Sequence, residues 1–349
     1  MKRTNILLVI LLWVVNQVNA QLVQENETAV VYYMPKTELA ITLSYDCVVQ
    51  EPGIFYQYAQ RYLGTRDIIT EKSTTYHMTD MTISTLTTAD TNRAYKVNAQ
   101  KIYDMQLLSF TEDGRLLGYN IGGEAEKKIE VSTPHKIKQV DEQKTPLMPL
   151  LEEQFMAGSM AKMAEGAAKQ IYRIRETRLN ILGGDVEHVP ADGKAMQLVL
   201  DELDKQEQAL VALFIGTTYV SHHTHELTYL PANDSNKEIL CRLSKHMGIV
   251  DKDDLSGEPI YLSLTGHHST LKNALVETDT KAPVPSQIYY NLPGTADVVL
   301  QYQNLQFTHS ITVPQYGVAI PLAIELFNSR HKHTIRFNPE TGNILYIQK

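Results

Sequence analysis

The stretch Glu38-Leu39-Ala40-Ile41-Thr42-Leu43-Ser44-Tyr45-Asp46-Cys47-Val48-Val49 has the period of a β-strand. Ile41, Leu43, Tyr45, Cys47 and Val49 alternate onto one face, and the run is rich in β-branched and aromatic residues. Upstream, 30–34 has the same composition, with Pro35 and Lys36 predicting a break between the two. Downstream, Pro52-Gly53 opens a predicted short helix. Ile54, Tyr58 and Tyr62 stand at i, i+4, i+8, and Gly64 is its stop. From Thr74 to Leu86 strand character returns. Tyr76 and Met78 share one phase and Met81 and Ile83 the other, which predicts a bulge near Asp80. Gln106–Phe110 and Leu116–Ile121, on either side of Glu112-Asp113-Gly114, predict a β-hairpin.

The chain changes character at Gly122. Residues 122–145 carry lysines and glutamates without a clean period and read as an exposed linker. Residues 146–216 are helix-prone. Ile171, Ile174 and Leu182 mark a first helix that ends at Gly183-Gly184. Asp192 suits the N-cap of a second, whose stripe is Met196, Val199, Leu200, Leu203, Leu210, Leu213 and Phe214, and Gly216 stops it. Asp201 and Lys205 add an i,i+4 pair on its wet side. From Thr217 to the end, strand composition resumes, closing with a hairpin around Asn338-Pro339-Glu340-Thr341-Gly342. These segments predict an α+β fold: antiparallel β-rich N- and C-terminal regions (21–121 and 217–349) with a long central α-helical hairpin.

Residues 1–20 have the tripartite pattern of a signal peptide. Lys2 and Arg3 precede an apolar run from Ile6 to Val15, and Val18-Asn19-Ala20 supplies small residues before Gln21. That run is too short to span a bilayer, and no later run approaches the roughly 20 apolar residues a membrane helix needs. The expectation is an extracytoplasmic protein, periplasmic or secreted, beginning near Gln21. Its 32 Lys and Arg against 40 Asp and Glu, a formal charge of −8, argue against a broad nucleic-acid-binding face.

Two cysteines exclude a disulfide scaffold. Cys47 and Cys241 each sit on the apolar face of a predicted strand, so a Cys47–Cys241 bridge and two buried thiols are both open. Nine of the 12 histidines lie after residue 217, and two pairs have strand spacing. His223 and His225 share a face with Leu227, as His331 and His333 do with Ile335. If the two strands are neighbours, four imidazoles could surround zinc or copper. No other cofactor is expected. Arg173, Arg175, Glu176 and Arg178 could clamp an anion, although Glu202, Asp204 and Glu207 on the next helix are ready counter-ions. There is no His-Glu-x-x-His, no Gly-x-Ser-x-Gly, no phosphate-binding loop and no Gly-x-Gly-x-x-Gly.

Three segments resemble a family of secreted Bacteroidetes proteins, domain of unknown function 4831. They are Gln57-Tyr58-Ala59-Gln60-Arg61-Tyr62-Leu63-Gly64, the run from Ala168 to Arg178, and the run from Asp192 to Gly216. The resemblance implies export from a Gram-negative bacterium and assigns no catalytic residue. With no catalytic motif, the preferred reading is a non-enzymatic binding or scaffold protein, its partner an extracytoplasmic protein or a glycan. A metal-dependent hydrolase built on the C-terminal histidines is the alternative.

Overall fold

A computed structural model describes residues 29–98, 107–122, 149–185, 192–268, 287–327 and 333–349. The signal-peptide expectation at 1–20, nearly all of the linker and His331 lie outside the described residues. The two longest strands come first, β1 (Ala29–Glu51) and β2 (Ser73–Asn98). They pair antiparallel from Ala29↔Asn98 to Gln50↔Ser73. The register slips between Ser44 and Tyr45, opposite Asp80 and Met78, where the change of apolar phase predicts a bulge. Pro35 does not end the strand as expected. The ladder continues through it after a second slip between Tyr33 and Met34, and a bulge can absorb a proline that lacks a donor.

Between these strands lie a short 3-10 turn (Tyr56–Tyr58) and α1 (Ala59–Leu63). The apolar positions differ from the sequence reading. Ile54 is 40% exposed, whereas Phe55 and Ala59 are fully buried. The short strands β3 (Leu108–Phe110) and β4 (Leu116–Tyr119) form the expected hairpin. Three helices follow, α2 (Glu152–Phe155), α3 (Met160–Gly183) and α4 (Gly193–Ile215). Ser159 caps α3 by accepting from the Lys162 amide at 3.3 Å. Asp192 precedes α4 without a side-chain capping bond. Asp201 takes its bond from Gln197 and not from Lys205.

The remaining strands are β5 (Thr217–Tyr229), β6 (Ser235–Ser244), β7 (Gly248–Val250), β8 (Glu258–His267), β9 (Tyr289–Tyr302), β10 (Leu305–Pro321), β11 (Thr334–Phe337) and β12 (Ile344–Gln348). They form three antiparallel sheets, ordered β2-β1-β5, β10-β9-β8-β6-β7 and β12-β11-β4-β3. The first two pack face to face. Leu39, Ile41 and Leu43 of β1 meet Ile260, Leu262, Val298 and Leu300 in a dry layer. A second core, with Tyr32, Met34, Phe327, Ile335 and Phe337, lies under the third sheet.

The α+β expectation, with β-rich ends around a long central helical hairpin, is corrected here. Of the described residues 52% are strand and 25% helical, so the fold is mostly antiparallel β. Strands from both ends of the sequence share sheets: β5 pairs with β1 over Leu39–Glu51, and β11 pairs with β4. The cause is the length of β1, whose 23 residues offer one edge to β2 and the other to β5. The helices are an excursion between paired strands.

Candidate functional site

Helices α3 and α4 are held at one end of the β1–β5 ladder by close backbone approaches. A Cβ on Gly53 would lie 2.3 Å from the Leu213 carbonyl oxygen, and the Phe55 amide donates to that same oxygen at 2.7 Å. Gly216, at φ +90°, turns the chain from α4 into β5, and a Cβ there would lie 2.5 Å from the Glu51 oxygen. Phe55, Ala59, Leu150, Ala164, Ala167, Ala168, Ile171, Ile174, Leu210 and Phe214 form a third core around this junction. The buried residues of α3 stop at Ile174, and those of α4 begin at Leu210. Beyond that level both helices carry apolar residues without burying them: Leu179 is 68% exposed, Leu182 64% and Leu198 68%.

Across that level, from Asp204 of α4 to Gly216, the two helices enclose an open groove of about 520 Å³. Arg175 and Arg178 line one wall. Asp204, Glu207, Gln208, Val211, Ala212 and Ile215 line the other, at the spacing of one helix face. Charges of opposite sign meet across the floor. Arg175 Nε donates to Glu207 Oε1 at 2.6 Å, and Arg178 contacts both Asp204 and Glu207, the latter at 3.0 Å. Glu207 Oε2 is buried and holds its ion-pair contact to Arg178 without an aligned hydrogen bond. The Arg175 guanidinium also lies 5.7 Å from the centre of the Tyr172 ring, whose hydroxyl donates to the Tyr62 carbonyl. The arginine cluster is thus occupied by counter-ions on the neighbouring helix, and Arg173 stays exposed. A groove of this kind offers an apolar strip at Val211 and Ile215 and a row of forked, partly exposed charges.

The family model Domain of unknown function (DUF4831) matches residues 28–345, which takes in every described element except the last residues of β12. The chain belongs to that family. No curated protein and no solved structure matches it.

The other sites expected from the sequence fall elsewhere within the family-matched span. His223 and His225 are on β5, opposite Tyr45 and Leu43 of β1. His223 stacks on Tyr45 with ring centroids 5.6 Å apart and shares a 3.0 Å hydrogen bond with Ser221. His333 stands just ahead of β11, in a different sheet from β5. The structure therefore does not bring His333 beside the β5 pair, and among the described residues no three of His, Cys, Asp and Glu are placed to hold a metal ion. Cys47 and Cys241 are both buried free thiols. Burial pushes the Cys241 thiol up to about 11, which keeps it protonated and unreactive at neutral pH.

Sequence reasoning named the arginines and their counter-ions but missed the groove itself. Its signal was present as a second face of α4, with Asp204, Gln208, Val211 and Ile215 three or four residues apart. That face mixes charge with apolar residues, so it does not stand out beside the wholly apolar stripe next to it.

Proposed function

We propose that this protein is an exported binding or scaffold protein that docks a protein partner along the α3–α4 groove. One observation carries the reading. Two helices extend past their own core with large apolar side chains exposed, next to an open groove whose charges are balanced. Leu179 and Leu182 adjoin at i,i+3 on α3, and adjoining exposed leucines mark interaction surfaces, whereas leucines scattered singly need no explanation. Export is supported by the pattern of residues 1–20. Native protein should have the intact mass of a chain starting at Gln21. A retained Met1, or attached acyl chains, would contradict an exported soluble form.

The docking reading is tested by placing a photo-crosslinking amino acid at Leu179 in the producing cell. Thr265, exposed on β8, serves as the control position. A discrete crosslinked species is expected from Leu179 in the extracytoplasmic fraction and none from Thr265. Equal crosslinking at both positions, or none at Leu179, would remove the helices as the docking face.

A further inference from the structure

We infer that the partner in the groove is the same groove of a second copy of this chain, with α3 of one protomer lying along α4 of its partner. The inference rests on the docking reading and names the occupant. A two-fold interface must be complementary to itself, and this face is. Its α3 wall is basic, since Arg175 and Arg178 are the charged residues of α3 that line the groove. Its α4 wall is acidic, since Asp204 and Glu207 are the charged residues of α4 that line the groove.

A two-fold axis parallel to the helices sets each basic wall against an acidic one. An axis across the helices would set α3 against α3 and face like charges, which is costly. The charge pattern thus selects one arrangement, a four-helix bundle with the free ends of both helix pairs at the same end. The groups that must reach across have room to do so. The Arg175 side chain is 41% exposed and Asp204 46%, and a guanidinium fork already bonded to one carboxylate keeps donors for another. Leu179, one turn beyond Arg175 on the same face, would be covered in that bundle, together with the strip at Val211 and Ile215.

The test is sedimentation equilibrium on the mature full-length chain, from about 0.1 to about 100 μM, at low and high salt. A reversible dimer is expected. Its dissociation constant should rise several-fold between about 0.05 and about 0.5 M NaCl, as screening weakens partly exposed pairs. Leu179→Glu should raise it at least about tenfold, a loss of some 1.4 kcal/mol, with an unchanged helical circular-dichroism signal. A dimer that ignores both salt and Leu179→Glu uses another surface and overturns the inference.

The crosslink at Leu179 separates the two readings. A product of twice the chain mass supports the second copy. A product with a different protein, from a chain that sediments as a monomer throughout, overturns the second copy and leaves the docking reading standing. No product overturns both.

Discussion

Phe214→Ala should destabilise the helical end of the molecule by about 3–5 kcal/mol and should do so without unfolding the sheets first. Phe214 is fully buried, and its ring lies 5.3 Å from that of Phe55 at an interplanar angle of 50°. Truncation removes the transfer free energy of a phenyl group and leaves a cavity besides. The surroundings cannot close it cheaply. Ala164, Ala167 and Ala168 on α3 have no side chain to extend, and the Gly53 contact fixes the backbone of α4 against β1. This core shares none of its buried members with the two under the sheets, so its loss need not propagate. Helical ellipticity near 222 nm should therefore melt before near-ultraviolet signals from the sheet tyrosines. A single coincident transition for both probes would mean that the helices and sheets unfold as one unit. Leu203→Ala is the useful contrast. The stripe read from the sequence treats Leu203 and Phe214 alike, yet Leu203 is only partly buried, and a smaller effect is expected.

That contrast indicates what the sequence could and could not convey. Alternation is a local property, so residues 38–49 of β1, residues 74–86 of β2, the bulge at Asp80 and the hairpins around Gly114 and Gly342 were legible residue by residue, whereas the run of β1 through Pro35 and of β2 past Leu86 was not. Partnership between strands is not local. Nothing in Thr217–Tyr229 says that it will lie against residues 39–51, and that pairing turns an imagined two-part molecule around a helical centre into a mostly β fold. The histidine pairs met the same limit. Two-residue spacing placed His223 and His225 on one face of β5, but the expected convergence needed β11 beside β5, and among the described residues β5 pairs with β1 while β11 pairs with β4 and β12. Within the candidate site, the ion pairs of Arg175 and Arg178 could be anticipated from charge spacing on two helices. The exposure of Leu179 and Leu182 could not, because an apolar position at helical spacing reads as core wherever the core happens to end.

The second large effect is expected at Asn291, a residue with little strand propensity in the middle of strand composition. Its side chain is fully buried and joins three parts of the chain. Asn291 Oδ1 accepts from Arg93 Nη2 at 3.0 Å. Asn291 Nδ2 donates to the Pro314 carbonyl at 3.0 Å and to the Thr341 carbonyl at 2.9 Å. Arg93 Nη1 donates to the same Pro314 carbonyl at 3.1 Å. The need for these bonds comes from β10, whose pairing with β9 is interrupted between Val313 and Val318. Backbone groups in that gap have no ladder partner and must be satisfied by side chains. Gln315 does similar work next door, bonding the Thr37 amide and carbonyl of β1. Asn291→Leu keeps the branched shape but strands the Thr341 carbonyl and one face of the Arg93 guanidinium, and it leaves the Pro314 carbonyl to Arg93 Nη1 alone. At about 1–3 kcal/mol for each buried group left unpaired, a loss of at least about 2 kcal/mol is expected in urea denaturation. Arg93→Met in the Asn291→Leu background should then cost less than it does alone. Asn291 Oδ1 is no longer there to be stranded and the guanidinium face left unpaired is removed, although the Pro314 carbonyl loses its last donor. A double-mutant cycle measures this directly. Additivity within about 0.5 kcal/mol would mean that the two side chains act independently.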